Sequence, residues 1–169
     1  FIYGFIGWTF YISMSDWKSS IPDFTFVGLK NWTRLINDRR FQMDMRNHLY
    51  YAIGFISQCI VIGFTLATLL DQKIKGEALF RTMFIFPFAV SGIVTGVTWQ
   101  WLMQPATGIN LIFAKIGMDW FRPTWHANIE YGIWAVSIAA AWQFSGYVMA
   151  LYLAGLRGIP AELREAASI

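Results

Sequence analysis

The chain has 169 residues, of which 56% are hydrophobic and 18% aromatic but only 14% charged, with a net charge of +3, against about 25% charged in an ordinary soluble domain. The 13 basic residues are scattered rather than striped, which gives no support to nucleic-acid binding. With one cysteine, Cys59, mid-run in an apolar setting, an internal disulfide is excluded, and a small buried hydrophobe is the expected role.

Lys, Arg, Asp and Glu are missing from Leu49 to Leu70, from Thr82 to Ala114 and from Tyr131 to Leu156. Each interval exceeds the roughly 18 apolar residues that mark a spanning candidate. Lipid leaves backbone polar groups only two solutions, helices or closed barrels. A barrel needs alternating segments of about ten residues, whereas these runs are continuous and studded with Gly, Ser and Thr, which let membrane helices pack closely. The expected fold is therefore all-α, a polytopic transmembrane helical bundle.

Taken in order, residues 1–15 form a first apolar run shorter than the roughly 20 residues a full crossing needs, read as the tail of a spanning helix. Residues 16–46 are a polar connection with Pro22 and Gly28 as breakers, Asn31 as the cap of a short helix through Met43, and Trp17, Phe24, Phe26 and Trp32 suited either to headgroup level or to the end of the bundle. A spanning helix over 47–70 and a short connector over 71–81 come next. A third helix covers 82–103, with Pro87 removing a backbone donor in its first half and bending or breaking it. A second polar connection occupies 104–130, a fourth helix 131–154, and a polar segment 155–169 completes the order.

Orientation from basic residues gives a conflict. The connections 16–46 and 104–130 carry Lys18, Lys30, Arg34, Arg39, Arg40, Arg46, Lys115 and Arg122, against Lys73, Lys75, Arg81, Arg157 and Arg164 on the other side. Counting alone places the first side in the cytoplasm.

Chemistry-bearing motifs are missing: there is no GxxxxGK[ST], HExxH or GxSxG, and His48 and His126 stand apart without partners at ligand spacing. The complete apolar runs hold no ionisable acid or base of the kind that relays protons in ion-coupled transporters. Their polar content is neutral and aromatic: Gln58, then Trp99, Gln100 and Trp101, then Trp142, Gln143, Phe144, Ser145 and Tyr147. Rings that stack on C–H faces, with amides and hydroxyls that both donate and accept, suit a sugar without burying a charge. Ordinary helix packing is the competing reading for the same residues.

The segment "AGLRGIPAELREAASI" resembles the opening of the EAA loop of binding-protein-dependent ABC transporter permeases, which follows a transmembrane helix in that family. "FVGLKNW", "RNHLYYAI", "LFRTMFIFPFAVSGIVTGVTWQWLM" and "GIN" occur in the same order as in the sugar-transporting members, those akin to maltose, trehalose and glycerol-phosphate importers. The resemblance implies a type I ABC importer permease, with about four of six helices present here. It implies a coupling role for Gly158, Pro160, Glu162, Leu163, Glu165, Ala166 and Ala167, docked on an ATP-binding subunit dimer that holds ATP and Mg, this chain having no cofactor of its own. It also implies a second permease subunit, an extracytoplasmic solute-binding protein, a carbohydrate substrate and a prokaryotic cytoplasmic membrane.

By the same resemblance, Trp142, Gln143, Phe144 and Tyr147 lie on the substrate helix, although Phe144 stands where a small residue is usual and implies a reshaped pocket. The family placement makes 71–81 cytoplasmic and 16–46 external, against the charge count. A permease for a non-sugar solute, which should place charges in the path, and a channel or membrane enzyme without an ATPase partner are the alternatives.

Overall fold

The computed structural model describes residues 1–72, 74–118, 120, 125, 129–160 and 162–163, the side chains of 129–131 apart. It divides into two compact units, Phe1–His48 and Leu49–Ile169. Seven helices are described: α1 (Ile2–Ser13), α2 (Lys30–Ile36), α3 (Arg39–Asp71), α4 (Glu77–Ala89), α5 (Gly92–Leu102), α6 (Ile109–Lys115) and α7 (Ile129–Arg157).

In the first unit, the loop after α1 folds back on it. An isolated antiparallel bridge joins Ser15 to Phe26, and the Asn31 amide donates to the carbonyls of Ser13 (3.0 Å) and Ser15 (2.8 Å). Asn31 is thus not the helix cap its sequence position suggests: α2 starts one residue earlier with Leu29 as N-cap and no side-chain bond. The short helix does not run to Met43 either. Asp38 interrupts it, accepting from the Arg40 and Phe41 amides at 2.7 and 3.1 Å and starting α3 instead. Asp23 accepts from the Thr25 hydroxyl and amide, and these bonds hold its carboxyl below its ordinary range.

In the second unit, α3 and α7 meet along small residues. A Cβ on Gly54 would lie 2.8 Å from the Trp134 ring, and one on Gly63 would lie 2.8 Å from Val148 Cγ1 and 3.1 Å from the Met149 amide nitrogen. Ala67, Leu70, Met149 and Leu153, further along the same two helices, form the buried core. Ile56 and Ile60 of α3 are exposed, whereas Phe64 stands edge-on to Tyr152 of α7 with centroids 5.5 Å apart. The expected helices 47–70 and 131–154 lie inside the longer α3 and α7. Both α3 and the Gly132–Arg157 stretch are long and apolar enough to cross a membrane.

The third expected helix differs. It begins at Glu77 rather than 82, and in place of one rod over 82–103 there are two helices, α4 and α5, bent by 101° at a two-residue break. Three local causes combine. Pro87 supplies no amide to its own helix; Val90 turns to an extended backbone (ψ 137°); and Ser91 caps a new helix by accepting from the Val94 amide at 3.3 Å. Gly76, in the left-handed conformation at φ 81°, provides the turn before α4.

Candidate substrate path and coupling end

The four residues expected to meet substrate do not share one surface. Successive residues of a helix are about 100° apart, so Trp142 falls with Ser145 on one side of α7, and Gln143, Phe144 and Tyr147 fall on another. Trp142 lines a cavity of about 370 Å³ with Gln58, Met83, Pro87, Ile138 and Ser145. Its ring stands edge-on to Trp99, centroids 6.0 Å apart at 68°. Gln58 reaches from α3, donating to the Gly54 carbonyl (2.9 Å) and to Ser137 Oγ (2.7 Å). With both amide protons engaged, Gln58 has only its carbonyl oxygen left to offer a solute. Ser145 is buried.

Phe144 and Tyr147 form an aromatic cluster with the end of α4. Tyr147 stacks on Phe88 (4.9 Å, 13°), and Phe144 stands edge-on both to Phe88 (5.4 Å) and to Phe55 of α3 (5.7 Å). The size of Phe144 is therefore accommodated between two rings. Gln143 serves the backbone instead. Its amide donates to the Val90 carbonyl at 2.7 Å, satisfying an acceptor that the α4–α5 break has removed from its helix. Gln143→Met should leave that carbonyl unpaired and destabilise the fold by about 1–3 kcal/mol. The thermal midpoint of the purified chain checks this.

Sequence reasoning singled out Trp99 but passed over Thr95, its neighbour on α5. Thr95 Oγ1 and Trp99 Nε1, one helical turn apart on α5, are buried without a hydrogen-bond partner in the chain among the described residues. Buried polar atoms are nearly always paired, so these two are exceptions among the described residues. Spacing alone could have suggested the Thr95–Trp99 pair; its burial depends on the 101° bend, which no local pattern gives.

The segment expected to couple to an ATPase begins where α7 stops. Gly158 closes the helix by donating to the carbonyls of Ala154 (3.0 Å) and Gly155 (3.1 Å); Ile159 and Pro160 leave it, and the Leu163 amide returns to the Pro160 carbonyl at 3.2 Å. Glu162 and Leu163 have helical backbone and are exposed. Glu165, Ala166 and Ala167 lie outside the described residues. Immediately before this segment, Arg157 donates to both carboxylate oxygens of Glu77 (2.9 and 2.8 Å), to the Leu70 carbonyl (3.2 Å), and lies 3.5 Å from Asp71. Arg81 also pairs with Glu77 across one turn of α4. A single residue thus ties together the ends of α3 and α7 and the start of α4.

Comparison with known proteins gives a consistent result. A probable ABC transporter permease of Pyrococcus horikoshii is 41% identical over the whole of this chain, which covers 58% of that protein. The xylose/arabinose import permease of Haloferax volcanii is 36% identical over 99% of the chain and 53% of its own length. The chain thus spans little more than half the length of these curated relatives. The crystal structure of a bacterial alginate ABC transporter in complex with an alginate pentasaccharide-bound periplasmic protein shares the fold, with a TM-score of 0.71 at 19% identity over 83% of this chain and 49% of that one. The family model for the inner membrane component of binding-protein-dependent transport systems matches residues 33–169, and with the broken third span and the polar segment after α7 in place, the chain belongs to that family of ABC transporter permeases.

Proposed function

We propose that this chain forms part of a transmembrane permease subunit of an ATP-driven importer that moves a neutral carbohydrate inward across the cytoplasmic membrane of a prokaryote. An external binding protein delivers the sugar, a second permease subunit completes the path, and ATP and Mg are held by a partner ATP-binding dimer on which Gly158, Pro160, Glu162, Leu163, Glu165, Ala166 and Ala167 dock. The observation that carries this reading is the uncharged cavity between α3, α4 and α7, offering an indole face, an amide carbonyl and a hydroxyl, on the same helix whose end enters the coupling segment. Aromatic faces and neutral hydrogen-bonding groups recognise a polyol without the desolvation that charged groups would impose. The names of the sugar-importing relatives point the same way.

The test is purification of the full-length subunit with its neighbours and reconstitution in vesicles. An ATP-binding subunit and a second permease should copurify, and one of labelled xylose, arabinose, maltose or trehalose should accumulate only with ATP and the binding protein present. Deleting Glu165–Ile169 should abolish accumulation while the chain remains folded. Isolation without an ATP-binding subunit, or accumulation that survives the deletion, would overturn the proposal.

A further inference from the structure

The helices α4 and α7 run antiparallel and are fastened to each other at three levels. At one end Arg157 grips both oxygens of Glu77. Near the middle Gly146 brings α7 against the backbone of α4 at Phe84. At the other end Gln143 holds the Val90 carbonyl at the break. From Gln143 to Arg157 the pair extends roughly 21 Å, at about 1.5 Å per residue. The outer fastenings differ in kind. Gln143 and Gly146 are internal to α7, whereas Arg157 is its last residue, adjacent to Gly158 and the segment that leaves the bundle.

Among the described residues, the start of α4 also meets α7 through Arg81, which lines a small cavity with Ala150, Leu153, Ala154 and Arg157. The turn before α4 contains Gly76 at φ 81°, and the nearest buried core, around Ala67, Leu70, Met149 and Leu153, reaches α4 only at Phe84 and Ile85. A guanidinium fork has five donors in fixed geometry. Here it addresses a carboxylate at the N-terminus of α4, a carbonyl at the C-terminal end of α3, and a second carboxylate there. A displacement of the segment after Arg157 therefore reaches the start of α4 directly through Glu77.

We propose that Arg157 is the positioning residue that makes α4, and with it the α4–α5 break, follow the coupling end of α7 when the partner ATPase closes. This inference rests on the importer reading above. It assigns to one ion pair the transfer of motion from the polar segment to Phe88 and Val90, which border the aromatic cluster. Coupling of this kind is carried by ion pairs, packed side chains and rigid helices whose positions switch between two arrangements.

The test uses the whole transporter with spin labels at Leu79→Cys on α4 and Leu151→Cys on α7, both exposed sites, in a Cys59→Ala background. The label-to-label distance is read by pulsed EPR before and after trapping with ADP and vanadate. In the otherwise unaltered complex the distance should be the same in both states. In Arg157→Gln and in Glu77→Gln, trapping should still occur but should produce a second distance population, and the double variant should be no worse than either single one. Glu77→Gln, nearly isosteric, provides the same readout should Arg157→Gln fail to assemble. A distance that changes on trapping in the unaltered pair, or variants whose distance stays single, would overturn the inference alone. An unaltered complex that traps no nucleotide would overturn the importer reading and this inference with it.

Discussion

Replacing Gly146 with alanine should be among the most damaging single-methyl changes in this chain. A Cβ at this position would lie 1.8 Å from the Phe84 carbonyl oxygen, 2.4 Å from its carbon and 3.0 Å from the Ile85 nitrogen. All three atoms belong to the backbone of α4, so no rotamer change relieves the clash. The helices must separate, and in doing so they loosen Met149 and Leu153 from Phe84 and Ile85 in the core. Overpacking usually costs about 1–3 kcal/mol, and a contact with immobile backbone belongs at or above the top of that range. The thermal midpoint of the solubilised protein, followed by tryptophan fluorescence or size exclusion, reads the effect directly.

The other glycines provide internal controls. At Gly54 the intruding methyl meets the edge of the Trp134 ring and the Ser137 hydroxyl, and at Gly63 it meets Val148 and the Met149 nitrogen. Both should lose stability, Gly54→Ala less than Gly63→Ala because a side chain gives way more readily than a backbone. Gly96 has nothing within 4 Å of its Cβ position; Gly96→Ala on α5 should be neutral within about 0.5 kcal/mol or slightly stabilising through helix propensity. Equal losses at Gly146 and Gly96 would show that close approach of α4 and α7 does not set the cost.

Much of this architecture is legible in the sequence. Three runs free of charged residues identify the spanning segments because the cost of charge in hydrocarbon is large and independent of the details of packing. Pro87 is recognisable as a site of distortion for a similar reason, since a missing donor is a property of the residue itself. The amount of distortion is not legible. A bend of 101° depends on Val90 turning extended, on Ser91 capping α5, and on Gln143 satisfying the Val90 carbonyl from 53 positions away. The same non-local bond explains why Gln143, read from its chemistry as a sugar ligand, has its amide engaged in holding the break. Asn31 and Asp38 show the limit at shorter range: both are good cap residues, and only tertiary contact with Ser13 and Ser15 draws Asn31 away.

On the proposed importer reading of α7, Trp142→Ala should have a larger effect on sugar-stimulated ATP hydrolysis than Tyr147→Ala, without dissociating the complex. Trp142 borders the cavity together with Gln58 and Ser145 and is 38% exposed, so a pyranose can lie on its indole face. Losing a stacking face of this kind costs about 0.5–1.5 kcal/mol beyond area burial, which raises the half-saturating concentration of sugar-loaded binding protein roughly two- to tenfold. Tyr147 has one face on Phe88 at 4.9 Å and 13°; its removal disturbs the end of α4 and should lower the maximal rate more than the half-saturation point. The two variants therefore separate contact from transmission. A shift in half-saturation for Tyr147→Ala alone would move the sugar to the aromatic cluster of Phe55, Phe88, Phe144 and Tyr147, and unchanged stimulation in both would remove α7 from the substrate path.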